Sequence, residues 1–119
     1  MKTPNAPEQA PTANDSAPIW DLVIADALDV TYPEGVLVLL VADMRERDQI
    51  GRAKYGTPLQ AHNGRRPLVD AYQEALDLCV YLRQAMLESE YGGAALRTQY
   101  GKALDLAVVL RDLIGDVQV

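Results

Sequence analysis

Asp70, Glu74, Asp77 and Tyr81 recur at i, i+4, i+7 and i+11 within the stretch LVDAYQEALDLCVYLRQAML, Leu68 to Leu87. At 3.6 residues per turn the four share one face of a helix that is otherwise apolar almost all round. An ionised carboxylate is costly to bury and is kept where it meets a cation or a metal. Asp77, set between Leu76 and Leu78, is the residue that most requires such a partner.

Glu74 and Asp77 stand at i, i+3, close enough to share a hard divalent cation directly or through water. Asp43 and Glu46 repeat the spacing on an earlier segment. Two antiparallel helices joined by a loop would bring the four acids to one end of a bundle, the arithmetic that builds metal sites between facing helices. Every candidate ligand is an oxygen and the lone His62 falls in a loop, which favours Mg²⁺, with Mn²⁺ the substitute. The competing reading pairs Glu74 and Asp77 with arginines such as Arg47 or Arg111.

Six of the eleven basic residues, Arg45, Arg47, Arg52, Lys54, Arg65 and Arg66, fall between positions 45 and 66. Lys54, Arg65 and Arg66 flank a connection that also carries Asn63 and Gly64 and that joins the two acid-bearing segments. Polyphosphate recognition needs cations beside the metal to hold the non-bridging oxygens, so acid plus base at one bundle end points to a nucleotide. For any single loop cation, Arg66 above all, the competing reading is a solvated surface charge. No Ser or Cys has a base partner in sequence, which disfavours a side-chain nucleophile.

The elements that must position these groups read as four helices. The first runs from about Ile19 to Asp29, with Trp20, Val23, Ile24 and Ala27 as its apolar stripe. Pro33 and Glu34 open the second, where Val36, Leu40, Asp43, Arg47, Ile50 and Lys54 follow one stripe that turns from apolar to charged. VLVLLV at 36–41 would also suit a strand, but its continuation into helix-period charges favours helix. Gly56 and Pro58 stop that helix, and Asn63-Gly64 predicts a turn. Pro67 suits the first position of the third helix, expected to reach about Tyr91. Gly92 and Gly93 break the chain before a fourth from about Ala95 to Ile114.

The third and fourth helices contain a repeat. Tyr72-x-x-ALDLCVYLR and Tyr100-x-x-ALDLAVVLR match at an offset of 28 residues, with Asp105 in the place of Asp77. Lys102 replaces Glu74, so only the first copy has the carboxylate pair. Tyr72, Cys79, Leu82 and Met86 fall at core spacing. Two copies make one supersecondary unit used twice.

Composition limits the rest. The chain of 119 residues is 49% hydrophobic, which marks a globular domain small enough that a second copy would help to cover its helices. Its net charge of −6 argues against nucleic acid as a partner. Residues 1–18 hold four of the seven prolines and predict a disordered tail, leaving 19–119 as the folded domain. No apolar run is long enough to span a bilayer, and Cys79 has no intrachain partner, so a cytoplasmic protein is expected. The overall expectation is an all-α bundle of about four helices, completed by oligomerisation to a homodimer or homotetramer.

Asp43-x-x-Glu46 followed, after 27 intervening residues, by Glu74-x-x-Asp77 resembles the ExxE and ExxD pattern of the all-α nucleoside triphosphate pyrophosphohydrolases, the MazG-like superfamily. KYGTPLQ and NGRRPLVDAYQEALDLCVYLRQ look most like small members encoded by bacteriophages, for which the location would be the host cytoplasm. The first motif opens on Asp43 where the family has Glu. The resemblance implies hydrolysis of a (deoxy)nucleoside triphosphate to monophosphate and pyrophosphate. It implies Asp43, Glu46, Glu74 and Asp77 as metal ligands, Glu46 and Glu74 as catalytic residues, and Arg47, Lys54, Asn63 and Arg65 as substrate contacts. The alternative is a non-enzymatic helical module that binds a protein partner through an apolar face.

Overall fold

A computed structural model describes residues 9–90 and 93–115. The expected all-α architecture is what it shows: α1 (Ile19–Asp29), α2 (Glu34–Tyr55), α3 (Pro67–Glu88) and α4 (Gly93–Ile114), with no strand among the described residues. The ambiguous run VLVLLV is helical within α2. α3, expected to reach about Tyr91, which lies outside the described residues, ends at Glu88, where Ser89 turns to an extended conformation, and α4, expected from about Ala95, begins at Gly93.

The helix ends follow local chemistry. Pro33 precedes α2 in an extended conformation, and α2 ends on Gly56, whose φ of 72° is the left-handed cap that glycine adopts without a Cβ clash. The Gly56 N–H donates to the Arg52 carbonyl at 2.8 Å, satisfying one of the helix's unpaired terminal acceptors. Pro67 occupies the start of α3, where its missing N–H costs nothing. No side chain caps the start of α1, but the Ile19 N–H donates to the Leu59 carbonyl at 2.7 Å in the loop after α2.

The chain divides into two compact units, one spanning Glu8–Arg65 and the other running from Arg66 onward. In the first, α1 packs on α2. Ile24 and Ala27 of the expected α1 stripe are buried, whereas α2 has no buried residue among its 22. In the second, α3 and α4 form an αα-hairpin whose seam is Ala75 and Cys79 against Ala103 and Ala107. Those four are repeat equivalents at the offset of 28. Tyr72, Leu76 and Leu82 of α3 and Tyr100 and Leu110 of α4 pack around them. Small residues along the seam let two helix backbones approach closely, and each helix contributes the same repeat positions to it.

Residues 9–18 correct the expectation of a disordered tail for this stretch; Met1 to Glu8 lie outside the described residues. Residues 9–18 form a strap along the loop 57–65. The Thr12 N–H donates to the Asn63 carbonyl at 2.7 Å, and Pro18 bridges Gln60 in antiparallel fashion. Composition weighed only the apolar surface the segment buries. Its prolines, however, lower the entropy lost on ordering, and hydrogen bonds to the loop hold it.

Candidate functional site

Glu74 and Asp77 sit on α3 one turn apart, and both are exposed. The seam residues Ala75 and Cys79 fix the side of α3 that meets α4, and helical spacing turns the line of Glu74, Asp77 and Tyr81 away from it. Among the described residues neither Glu74 nor Asp77 makes a side-chain hydrogen bond or ion pair. The competing pairing with Arg111 does not occur: that guanidinium donates to the Gly115 carbonyl at 2.5 Å at the end of its own helix. The pair therefore presents two carboxylates to solvent from one helical turn.

Asp43, Glu46, Arg47 and Lys54 are exposed along α2, in the Glu8–Arg65 unit. The two acid pairs therefore belong to different units. Among the described residues no group of three or more His, Cys, Asp or Glu stands together as a metal site. On α2 the one ion pair is Arg52 with Asp48, four residues apart, at 2.9 Å. The hydrogen bond to Asp48 raises the Arg52 pKa above its ordinary value; desolvation opposes the rise, and the charges of Asp48 and Asp21 add to it. Lys54 places its Nζ 5.1 Å from the centre of the Tyr55 ring, which holds the ammonium near the C-terminus of α2.

The loop after α2 is built around amide side chains. Asn63, expected to touch substrate, is buried, and its Oδ1 accepts the Arg65 N–H at 3.1 Å while its carbonyl takes Thr12. That Asx arrangement, with Gly64 at a φ of 86°, is the expected turn. A Cβ at Gly64 would stand 3.2 Å from the Gln9 Nε2, so glycine also makes room for the strap. Arg65 Nη1 donates to the Gln9 carbonyl at 2.9 Å. Of the predicted substrate residues, Arg47 and Lys54 point into solvent, while Asn63 and Arg65 hold loop to strap.

Sequence reasoning missed Asn14 and Gln60. Gln60 is buried, and its amide donates to the carbonyls of Asn14 at 2.6 Å and Ser16 at 2.8 Å. Asn14 returns a bond from its N–H to Gln60 Oε1 at 3.1 Å, and its side chain donates to the carbonyls of Ala61 and His62. The signal was indirect: a proline-rich segment cannot satisfy its own carbonyls, so an amide-bearing loop is where its partners would be sought. Comparison of the chain with protein-family models, curated proteins and solved structures gives no match.

Proposed function

We propose that this chain hydrolyses a (deoxy)nucleoside triphosphate to the monophosphate and pyrophosphate with Mg²⁺, as the resemblance to the MazG-like superfamily implies. The observation that carries the proposal is the solvent-facing, unpaired Glu74 and Asp77 on one turn of α3. The donor set fits the metal: Mg²⁺ prefers hard oxygens, keeps several waters, and is held by one or two carboxylates together with substrate phosphates. When bound it neutralises phosphate charge and lowers the pKa of a water.

The residues supply the remainder. Asp77 and Glu74 would hold the cation, and Glu74 would take the proton from the water that attacks the α-phosphorus. The Pα–O bond to the β-phosphate breaks and pyrophosphate leaves. The resemblance assigns the triphosphate oxygens to Arg47, Lys54 and Arg65, all of the Glu8–Arg65 unit, with Arg65 held by the strap. Asp43 and Glu46 are the first acid motif of the resemblance and belong to the Glu8–Arg65 unit, so their part in the ligand set rests on the resemblance alone.

The test is a screen of all common NTPs and dNTPs for pyrophosphate release with and without Mg²⁺. Release that depends on Mg²⁺ and is lost in Glu74→Gln supports the proposal; absence of release from every nucleotide overturns it. The helical interaction module remains the second reading, favoured by the exposure of Val36, Val38, Leu39 and Leu40 on α2. A thermal shift that needs Mg²⁺ and a non-hydrolysable nucleotide together separates the two.

A further inference from the structure

The strap runs antiparallel to the loop 57–65, and its bonds fall in register. The Ile19 N–H meets the Leu59 carbonyl, the Asn14 side chain meets the carbonyls of Ala61 and His62, the Thr12 N–H meets the Asn63 carbonyl, and the Gln9 carbonyl meets Arg65. Strap positions fall from 19 to 9 as loop positions rise from 59 to 65. The whole arrangement lies inside the Glu8–Arg65 unit.

The two ends of the strap are held differently. At Asn14 and Ser16 the bonds converge on Gln60, which is buried and whose amide is engaged through both its nitrogen and its oxygen. Breaking them would strand a buried amide, so this end is a fixed clasp. The other end meets water. Gln9, Ala10 and Thr12 are exposed, and the bond from Arg65 Nη1 to the Gln9 carbonyl at 2.9 Å is an exposed one, which water can replace.

We propose that residues 9–12 form a latch that a polyphosphate must displace from Arg65, with the clasp between Asn14 and Gln60 as the hinge. The latch rests on the reading of Arg65 as a phosphate contact. The Gln9 carbonyl holds a guanidinium N–H that a phosphate oxygen would need, so the two compete. The phosphate oxygen is charged and makes the stronger bond, and the planar guanidinium takes two oxygens of one phosphate at once. Gly64 locates the competition: a Cβ there would stand 3.2 Å from Gln9 Nε2 and 3.9 Å from Thr12 Oγ1, so the strap lies directly over the turn that leads to Arg65. An anion approaching the turn from that side meets the strap first. Affinity is then reduced by the fraction of molecules whose latch is open. Loosening the latch therefore strengthens polyphosphate binding, opposite in sign to removal of Arg65.

Inorganic tripolyphosphate without Mg²⁺ is the probe, because it leaves the carboxylates of α3 no metal to share. Residue-resolved amide exchange of the wild type should show Thr12 losing protection as the probe saturates, while Ile19, bonded beyond the hinge, keeps its own. Thr12→Pro deletes the N–H that the Asn63 carbonyl accepts and alters neither Gln60 nor Arg65. By calorimetry it should bind the probe about two- to tenfold more tightly, the scale of one neutral hydrogen bond. Arg65→Ala should weaken binding, and Thr12→Pro should bring no gain in that background. Thr12 protection that the probe leaves unchanged in the wild type overturns the latch, whatever the variant does. So does equal or weaker affinity in a Thr12→Pro chain of wild-type helicity, or the absence of probe binding to both chains. The nucleotide screen answers separately: pyrophosphate release with Thr12 still protected refutes the latch alone, whereas a probe that frees Thr12 without release from any nucleotide refutes the hydrolase alone.

Discussion

Gln60 and Asn14, 46 positions apart, exchange hydrogen bonds in both directions: the Gln60 amide donates to the Asn14 carbonyl at 2.6 Å, and the Asn14 N–H donates to Gln60 Oε1 at 3.1 Å. Gln60 is buried and fully used, with Ser16 as its second acceptor. Truncation to Ala strands the carbonyls of Asn14 and Ser16 together with the Asn14 N–H. Each group left unpaired costs about 1–3 kcal/mol where it is buried, less where water reaches it. Gln60→Ala should therefore destabilise the protein by about 2 kcal/mol in urea unfolding. A midpoint equal to wild type would remove the strap from the account of stability.

Deleting residues 1–15 removes the Asn14 bonds from the other side and leaves Gln60 its bond to the Ser16 carbonyl. Hydrogen exchange should rise in peptides covering α1 and the loop 57–65, where Ile19, Gln60 and Asn63 are tied. The seam at Ala75, Cys79, Ala103 and Ala107 belongs to the other unit and should keep its protection. Equal loss of protection at the seam would show that the strap's effect is not confined to its own unit.

Much of the fold was legible because helix signals are local. Pro33, Gly56, Pro67 and Gly93 each marked a boundary through a φ restriction or a missing Cβ, and α1 and α2 fell where they were expected. The repeat was legible as well, and the seam consists of its equivalent positions. What one period cannot reveal is a segment ordered by polar contacts 46 residues away, since Asn14 and Gln60 carry no periodic signature. The same limit affected the site. Asn63 and Arg65 read as substrate contacts from their types and position, but those types also build Asx turns and hold neighbouring carbonyls. Glu74 and Asp77 were legible as a shared face because helical spacing alone decides it.

Gly64 gives a sharper test of the strap. Its φ of 86° disfavours any side chain, and a Cβ would meet Gln9 at 3.2 Å. Gly64→Ala should cost about 1–2 kcal/mol from backbone strain. Removal of residues 1–15 should relieve only the contact with Gln9. Additive effects of the two changes, measured by a double-mutant cycle, would show that the strap does not press on Gly64.

For the proposed chemistry, Glu74→Gln and Asp77→Asn should each abolish pyrophosphate release while leaving helicity near wild type, since both side chains are exposed and unpaired among the described residues. Asp43→Asn tests the first motif separately, because Asp43 belongs to the other unit. Full activity in Asp43→Asn would confine the ligand set to α3.

Lys54 and Arg65 should separate by mechanism. Lys54 is exposed and rests over Tyr55, so Lys54→Ala should leave stability within about 1 kcal/mol of wild type, the scale of an exposed cation–π contact. If its ammonium meets the triphosphate in ground and transition states alike, KM rises with kcat unchanged; if it meets the leaving pyrophosphate, kcat falls as well. A lost charge-assisted contact is worth roughly 1.5–3 kcal/mol, or about ten- to a hundredfold in kcat/KM. Arg65→Ala removes the proposed phosphate contact and the bond to the Gln9 carbonyl at once, so it should lower both kcat/KM and the unfolding midpoint. Arg65→Lys keeps the charge but loses the planar fork, and should restore part of the kinetics without restoring the midpoint. A variant set in which Lys54→Ala and Arg65→Ala both keep wild-type kinetics with every accepted nucleotide would leave the acidic face of α3 without a cation for its substrate and would end the triphosphate assignment.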